Sequence, residues 1–308
     1  MWDLFLGFGK LMVSEKYMSF RDDVKAIINK IRIVNRVSNT LERMEFSIKN
    51  FFLPLSILES LGLKFLGVIP SRYASTRLDG KPLKDICGHT MVEWVYRRAL
   101  LSKLDNVVIA TDDDRIVKEI EAFGGNVIMT RKDHINGTSR IAEVCEKYSE
   151  YDVIVNIQGD EPLIEPEMIN SIIDSFLKDK SIVMSTLKHK LNTMEEVENP
   201  NSVKVITDKN DFAIYFSRSV IPYPRSLDLK NYYKHIGIYG YKREFVMEYS
   251  KMESTPLELS ESLEQLRVLE NGYKIKVIET PYKIIGVDTQ DELDKVREYI
   301  REHNIKIK

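Results

Sequence analysis

The chain has 308 residues, with 45 Lys plus Arg against 47 Asp plus Glu, a formal net charge of −2. Near-neutrality argues against a diffuse electrostatic grip on nucleic acid, so any basic site must be local. Two cysteines without CxxC spacing, Cys87 and Cys145, argue against a disulfide framework or a zinc site, and no apolar run reaches the roughly eighteen residues of a membrane span.

The first ten residues carry Asp3 where a signal peptide needs basic residues, and no small-residue cleavage site follows, so a cytoplasmic protein is expected. Residues 1–62 read as a helical appendage. Val24, Ile27, Ile28, Ile31 and Val34 recur at helical spacing among Asp, Lys and Arg. Phe51-Phe52-Leu53-Pro54-Leu55 adds a second apolar patch, in which Pro54 interrupts any helix. The stripe must pack on its own main domain or a sister subunit, which is the expectation, or lie on a membrane surface.

Residues 63–308 read as the main domain. Strands are expected at Phe65–Ile69, Val107–Ala110, Val127–Met129, Val153–Ile157 and Ile182–Thr186. Helices are expected at Met91–Lys103, Asp114–Phe123, Thr138–Tyr148 and Pro166–Leu177. This alternation predicts βαβ units, hence an α/β fold with a mainly parallel, Rossmann-like sheet covered by helices on both faces. Gly124-Gly125 marks a helix end. After Pro200 the pattern changes to Val203–Thr207, Phe212–Phe216 and His235–Tyr241, a smaller antiparallel extension suited to substrate contacts and dimerisation. A helix over Pro256–Glu270, a strand over Ile275–Glu279 and a helix over Thr289–Arg301 close the chain.

Four constellations carry chemistry. Val68 to Leu83 runs from an apolar strand into a loop holding Arg72, Arg77 and Lys81. Three cations at the carboxyl end of a buried strand are costly unless a polyanion sits among them, and a nucleoside triphosphate fits that charge. Arg offers a planar fork to phosphate oxygens and Lys a compact point charge. Next, Asn156-Ile157-Gln158-Gly159-Asp160-Glu161-Pro162 places Asp160 at the same sheet edge, where a carboxylate plus phosphate oxygens suits Mg²⁺. Third, Asp288 in Ile285-Gly286-Val287-Asp288-Thr289 reads, taken alone, as the N-cap of the last helix. Paired with Asp160 it would be a second metal ligand, and spacing leaves both open. Finally, His235, Gly237, Tyr239 and Tyr241 share one strand face, with Arg218, Glu264 and Gln265 in neighbouring segments. A face with an imidazole and phenols suits a hydroxyl-rich ligand.

Taken together, VIPSRYASTRLDGKPL (68–83), ATDDDRI (110–116), GGNVIMTRKDHINGTSRIAEV (124–144), VNIQGDEP (155–162), NPNSVKV (199–205), AIYFSRSVIP (213–222), KHIGIYGY (234–241), LEQLRVLENG (263–272) and GVDT (286–289) closely resemble the 3-deoxy-manno-octulosonate (Kdo) cytidylyltransferase family. The resemblance implies joining of CTP to Kdo, giving CMP-Kdo and pyrophosphate with Mg²⁺, in lipopolysaccharide synthesis, by a homodimer. It implies Asp160 and Asp288 as metal ligands, with Asp160 also counted among the catalytic residues beside Lys81, Arg72 and Arg77. Ser71, Thr111, Asp112, His134 and Gly137, with the loop cations, would hold the nucleotide. Gln158, Arg218, His235, Tyr239, Glu264 and Gln265 would form the sugar pocket. Ser139 departs from the family's usual acidic residue, which opens a related sugar such as 8-amino-3,8-dideoxy-manno-octulosonate as an alternative. A sialic acid cytidylyltransferase and a non-catalytic nucleotide-binding scaffold are the remaining rivals. Residues 1–62 lie outside the family pattern, as a genuine extension or as upstream codons read from a misplaced start, with Met44 a later alternative.

Overall fold

The computed structural model describes residues 62–74, 77–134, 136–225 and 231–307. The expected helical appendage, with its Val24–Val34 stripe and the Phe51–Leu55 patch, lies outside the described residues. Strands β1 (Phe65–Ser71), β2 (Asp85–Ile86) and β3 (His89–Thr90) precede helix α1 (Met91–Leu100). Then β4 (Asn106–Thr111), α2 (Asp114–Ala122), β5 (Val127–Met129), α3 (Gly137–Lys147), β6 (Val153–Asn156) and α4 (Pro166–Lys178) alternate as expected. Gly124 takes φ 76°, a left-handed conformation open to glycine, and so turns the chain out of α2 toward β5.

Next come β7 (Met184–Lys190), α5 (Met194–Glu198), β8 (Lys204–Thr207), β9 (Ala213–Ser217), β10 (Tyr233–Lys242) and α6 (Arg243–Tyr249). The chain ends through α7 (Pro256–Glu261), α8 (Gln265–Glu270), β11 (Ile275–Glu279) and α9 (Gln290–Glu302). The main sheet runs β11-β7-β10-β6-β1-β4-β5, with β8 joining β10 and β9 joining β8. Strand β1 lies parallel between β4 and β6, and β5 lies parallel to β4, so the carboxyl ends of these four strands open on one edge. That edge is where open α/β sheets bind ligands.

Alternation along β1 explains the layering. Phe65 and Ile69 pack toward Val92 and Val95 of α1 and Ile169, Ile172 and Phe176 of α4. Leu66 and Val68 pack toward Ile141 and Val144 of α3 and Phe245 and Val246 of α6. Strands buried on both faces read as continuous apolar runs, which is why they were visible in the sequence. A third cluster, with Leu78, Ile86 and Trp94 against Leu293, Val296 and Ile300, seats α9 beside the loop cations.

Two expectations need correction. The strand around His235–Tyr241 does not belong to a separate extension. As β10 it runs antiparallel between β6 and β7 in the main sheet. Its Ile236 and Ile238 enter the α1–α4 core, while Gly240 leaves room for Ile172 and Phe176, which would lie 2.5 and 2.6 Å from a Cβ there. Of the three strands expected there, β8 and β9 form an outlying antiparallel pair. The expected helix Pro256–Glu270 is also broken, because Ser262 adopts φ 53°, ψ 50°, and Leu263 N–H turns back to the Glu258 carbonyl. Among the described residues no helix is long and apolar enough to cross a membrane.

Candidate active site

Lys81 opens a short 3₁₀ turn whose preceding Gly80 is left-handed at φ 62°. The turn carries the lysine back beneath the strand ends. Its ammonium lies 2.7 Å from Asp160 Oδ2 and 2.9 Å from Asp288 Oδ1. A backbone bond from Val287 N–H to the Asp160 carbonyl, 2.9 Å, stitches the two acidic segments together. Burial works against the Lys81 charge, yet the two carboxylates outweigh it and hold the pKa above the ordinary lysine value. Arg77 reaches Asp288 Oδ1 at 3.0 Å from a mostly exposed position.

The N-cap reading of Asp288 fails. Thr289 caps α9, in a capping box with Glu292, and this frees the Asp288 carboxylate to turn toward Lys81. Glu161, next to Asp160, is buried with Oε2 unpartnered among the described residues. Burial and the Asp160 charge push its pKa up to about 8, so it carries a proton at neutral pH.

Around the carboxyl ends of β1 and β4 lie the expected nucleotide residues. Ser71 is buried with its hydroxyl unpartnered among the described residues. The Gly159 backbone approaches so closely that a Cβ there would meet the Pro70 carbonyl at 3.0 Å. The Arg72 guanidinium donates to the His134 carbonyl, while the buried His134 ring lies between Glu143 (Nε2–Oε2 2.5 Å) and Ser139 (Nδ1–Oγ 3.2 Å). His134 thus meets its neighbours through its carbonyl and a fully engaged ring. Asp112 Oδ2 accepts from the wholly buried Arg140 at 2.6 Å. Arg140 also donates to Thr130 Oγ1, and Thr130 donates to the Thr111 carbonyl through both N–H and Oγ1, at 2.8 and 2.9 Å. Arg140 has no role among the expected site residues, and the sequence signal for it is a charged residue at helical spacing with the apolar Ile141, Val144 and Cys145.

Beside this lies a cavity of about 280 Å³ lined by Gly137, Gln158, Tyr239, Glu264 and Gln265 from the expected sets. Tyr241, from the expected ligand-facing strand face, also lines it, and Pro70, Thr138, Asn156, Tyr249, Ser262 and Leu263, which carried no assigned role, complete the wall. Thr138 Oγ1 donates to Glu264 Oε2 at 3.0 Å, and Tyr249 Oη to the Glu264 carbonyl at 2.7 Å. Asn156 Oδ1 and Gln265 Nε2 are buried without a partner among the described residues, so they remain available to a ligand. Burial pushes the Tyr239 and Tyr241 phenols well up, leaving both as neutral hydroxyls.

Two expected sugar residues lie outside this lining. Arg218 turns its Nε to the Glu261 carbonyl, 2.8 Å, and its N–H to Glu261 Oε2, 2.9 Å. His235 is buried behind Tyr239 with Nε2 3.0 Å from Thr186 Oγ1. Ser139 likewise faces His134 and the Asn136 carbonyl.

Burial lowers the His235 pKa from 6.5 to about 3, with Lys234 adding to it. Below pH 6.5 the unfolded chain therefore takes up a proton that the fold refuses, and stability falls with falling pH. Between pH 7 and 5 this contribution is about 2 kcal/mol. Urea unfolding of wild type and His235→Leu should show the variant losing about 2 kcal/mol less over that interval. Equal pH dependence would contradict a neutral buried imidazole.

A family model described as cytidylyltransferase matches residues 66–275. A 3-deoxy-manno-octulosonate cytidylyltransferase of Fusobacterium nucleatum is 69% identical over 245 residues, covering 80% of this chain and 100% of that protein. This chain belongs to the 3-deoxy-manno-octulosonate cytidylyltransferase family. A relative with the same name from Geotalea uraniireducens is 48% identical, over 78% of this chain and all of its own. The solved structure of a CMP:2-keto-3-deoxy-manno-octonic acid synthetase complexed with CTP superposes with a TM-score of 0.75 at 43% identity, covering 78% of this chain and 99% of that one. A glucose-1-phosphate thymidylyltransferase from Bacillus anthracis, at 16% identity and a TM-score of 0.57, shares the fold alone. Like its relatives, this cytidylyltransferase is a CTP-dependent nucleotidyltransferase. The shared names favour the octulosonate over the 8-amino and sialic acid alternatives.

Proposed function

We propose that this chain couples CTP to 3-deoxy-manno-octulosonate, giving CMP-octulosonate and pyrophosphate. The observation that carries this reading is the Lys81 ammonium bridging Asp160 and Asp288, with Asp160 two residues on from Gln158 of the cavity wall. The resemblance in name and sequence to relatives of that activity supports it. The placement of Ser139 supports the unmodified sugar, since its hydroxyl is bonded to His134 and the Asn136 carbonyl and does not line the cavity.

Two carboxylates converging on one point cation form the donor set expected for Mg²⁺, with the ammonium standing where a cation fits. Asp160 and Asp288 would hold it, and bound Mg²⁺ supplies charge neutralisation at phosphate and a lowered hydroxyl pKa. Lys81, Arg77 and Arg72 bring positive charge to the triphosphate, where negative charge grows on the departing pyrophosphate. The Gly159 approach and the Ser71 hydroxyl shape the floor beneath the nucleotide. Gln158, Tyr239, Glu264 and Gln265 orient the sugar so that its anomeric hydroxyl meets the α-phosphorus in line. A homodimer, a cytoplasmic setting and use of the product in lipopolysaccharide assembly belong to the same reading.

Pyrophosphate release with CTP and each of Kdo, 8-amino-Kdo and N-acetylneuraminate tests it. Turnover should be fastest with Kdo. Preference for N-acetylneuraminate, or CTP binding without turnover of any of the three, would overturn it.

A further inference from the structure

We propose that Thr186 and His235 are positioning residues that set which end of the Gln158 amide faces the sugar. The inference rests on the reading just given and deepens it. The observation behind it is an irregularity in β10. Against β7 the register shifts between Ile236 and Tyr239, and against β6 pairing begins only at Tyr239 opposite Asn156. Gly237 and Ile238 therefore stand outside both ladders, a bulge beside the cavity wall. Bulges at such places re-aim groups toward a site.

Thr186, on the neighbouring strand β7, holds the bulge. Its hydroxyl is fully buried and lies 2.9 Å from the Ile236 carbonyl and 2.8 Å from the Ile238 carbonyl. In an extended chain successive carbonyls point to opposite sides. Drawing the Ile236 and Ile238 carbonyls toward Thr186 turns the Gly237 carbonyl the other way, toward the end of β6. There it accepts from Gln158 Nε2 at 2.7 Å. With one of its two N–H groups engaged in this way, the amide is held with its nitrogen toward Gly237, and Oε1 on its other branch is left as an acceptor beside the one remaining N–H. Gln158 lines the cavity, and in this orientation its Oε1 is the end offered to a sugar hydroxyl.

His235 completes the relay. The Thr186 hydroxyl has one proton to donate to the carbonyls, and its oxygen can accept one from His235 Nε2, 3.0 Å away. That contact fixes both the hydroxyl rotor and the imidazole tautomer. The ring is wedged between Phe216 and Tyr239, with centroids at 4.9 and 5.4 Å. It therefore acts on the pocket from behind, through Thr186 and through Tyr239. This role is distinct from the direct sugar contact that the sequence resemblance implies for it.

The test uses the full chain with Thr186→Val, which keeps the side-chain shape and removes the hydroxyl. In pyrophosphate release with CTP and Kdo, KM for the sugar should rise about tenfold while KM for CTP stays within about twofold. Thr186→Ser, which restores the hydroxyl, should recover most of the loss. In the double-mutant cycle, Thr186→Val should add little to the defect of Gln158→Ala, because it acts through Gln158. Independently of any sugar, the Gln158 side-chain amide resonance, assigned by its loss in Gln158→Ala, should shift in Thr186→Val and return in Thr186→Ser. Should the valine variant not fold, Thr186→Ala carries the same comparisons. Additive losses in the cycle, equal changes in both KM values, or an unmoved Gln158 resonance would overturn the inference. Absence of turnover with Kdo in the wild type, alongside the resonance shift, would instead count against the proposed function and leave the relay standing.

Discussion

Lys81→Met should lower kcat at least a hundredfold, with Asp160→Asn and Asp288→Asn each doing the same. All three residues converge on one point. The Lys81 side chain is only 16% exposed, and its ammonium lies within 3 Å of both carboxylates. Removing it leaves two carboxylates facing each other, with the exposed Arg77 the one remaining cation paired to either among the described residues. Removing a preorganised charge-stabilising group from a site of charge development costs about 10² to 10³ in rate. Because the three act as a unit, the double variant Asp160→Asn/Asp288→Asn should be little worse than either alone. Pyrophosphate release at saturating CTP and sugar measures this. A thermal scan separates chemistry from folding, since partly exposed carboxylates contribute little to stability. Asp160→Asn or Asp160→Ala retaining activity within tenfold of wild type would remove this cluster from the mechanism.

How much of this was legible depends on whether the signal is local. The strands β1, β4, β5 and β6 announce themselves because burial on both faces leaves an apolar run with no polar alternation. Their carboxyl ends then place Arg72, Lys81 and Asp160 on one edge by topology alone. Asp288 was harder. Its role as helix cap or metal-site carboxylate depends on which residue caps α9, and Thr289 with Glu292 three residues on is a readable capping box. Given that box, the cap reading of Asp288 loses its basis.

The sugar-side wall was legible only as residue types. Nothing local says that β10 inserts antiparallel between two strands from distant parts of the chain, because register is decided by long-range pairing. Nor does a serine announce a left-handed break, since that conformation is costly without glycine. Such strain persists at sites whose surroundings over-determine it. Ser262, by breaking the helix, turns Leu263, Glu264 and Gln265 into the cavity. His235 was named from its face of the strand and sits on that face. Its nitrogen turns to Thr186, a partner 49 residues away that no spacing rule connects to it.

The same reasoning makes Asp112→Ala more destabilising than Arg140→Met, although both delete one half of one ion pair. The Arg140 side chain is 1% exposed, whereas that of Asp112 is 16% exposed. Deleting Asp112 leaves a guanidinium sealed in the protein with Thr130 Oγ1 its one remaining acceptor among the described residues, and an uncompensated buried charge costs about 3 kcal/mol or more. Deleting Arg140 leaves a carboxylate that can turn toward water, so the cost should be nearer 1–2 kcal/mol, mostly from the released Thr130–Thr111 link. Asp112→Ala/Arg140→Met should then be less destabilised than the sum of the single changes, because no stranded charge remains. Urea unfolding at neutral pH resolves all four corners of this cycle. The link to function runs through Thr111 and Asp112, at the nucleotide end of β4, so Arg140→Met should raise KM for CTP more than KM for the sugar. An Arg140→Met variant costing more stability than Asp112→Ala would mean that the buried guanidinium, and not its charge balance, governs this edge of the sheet.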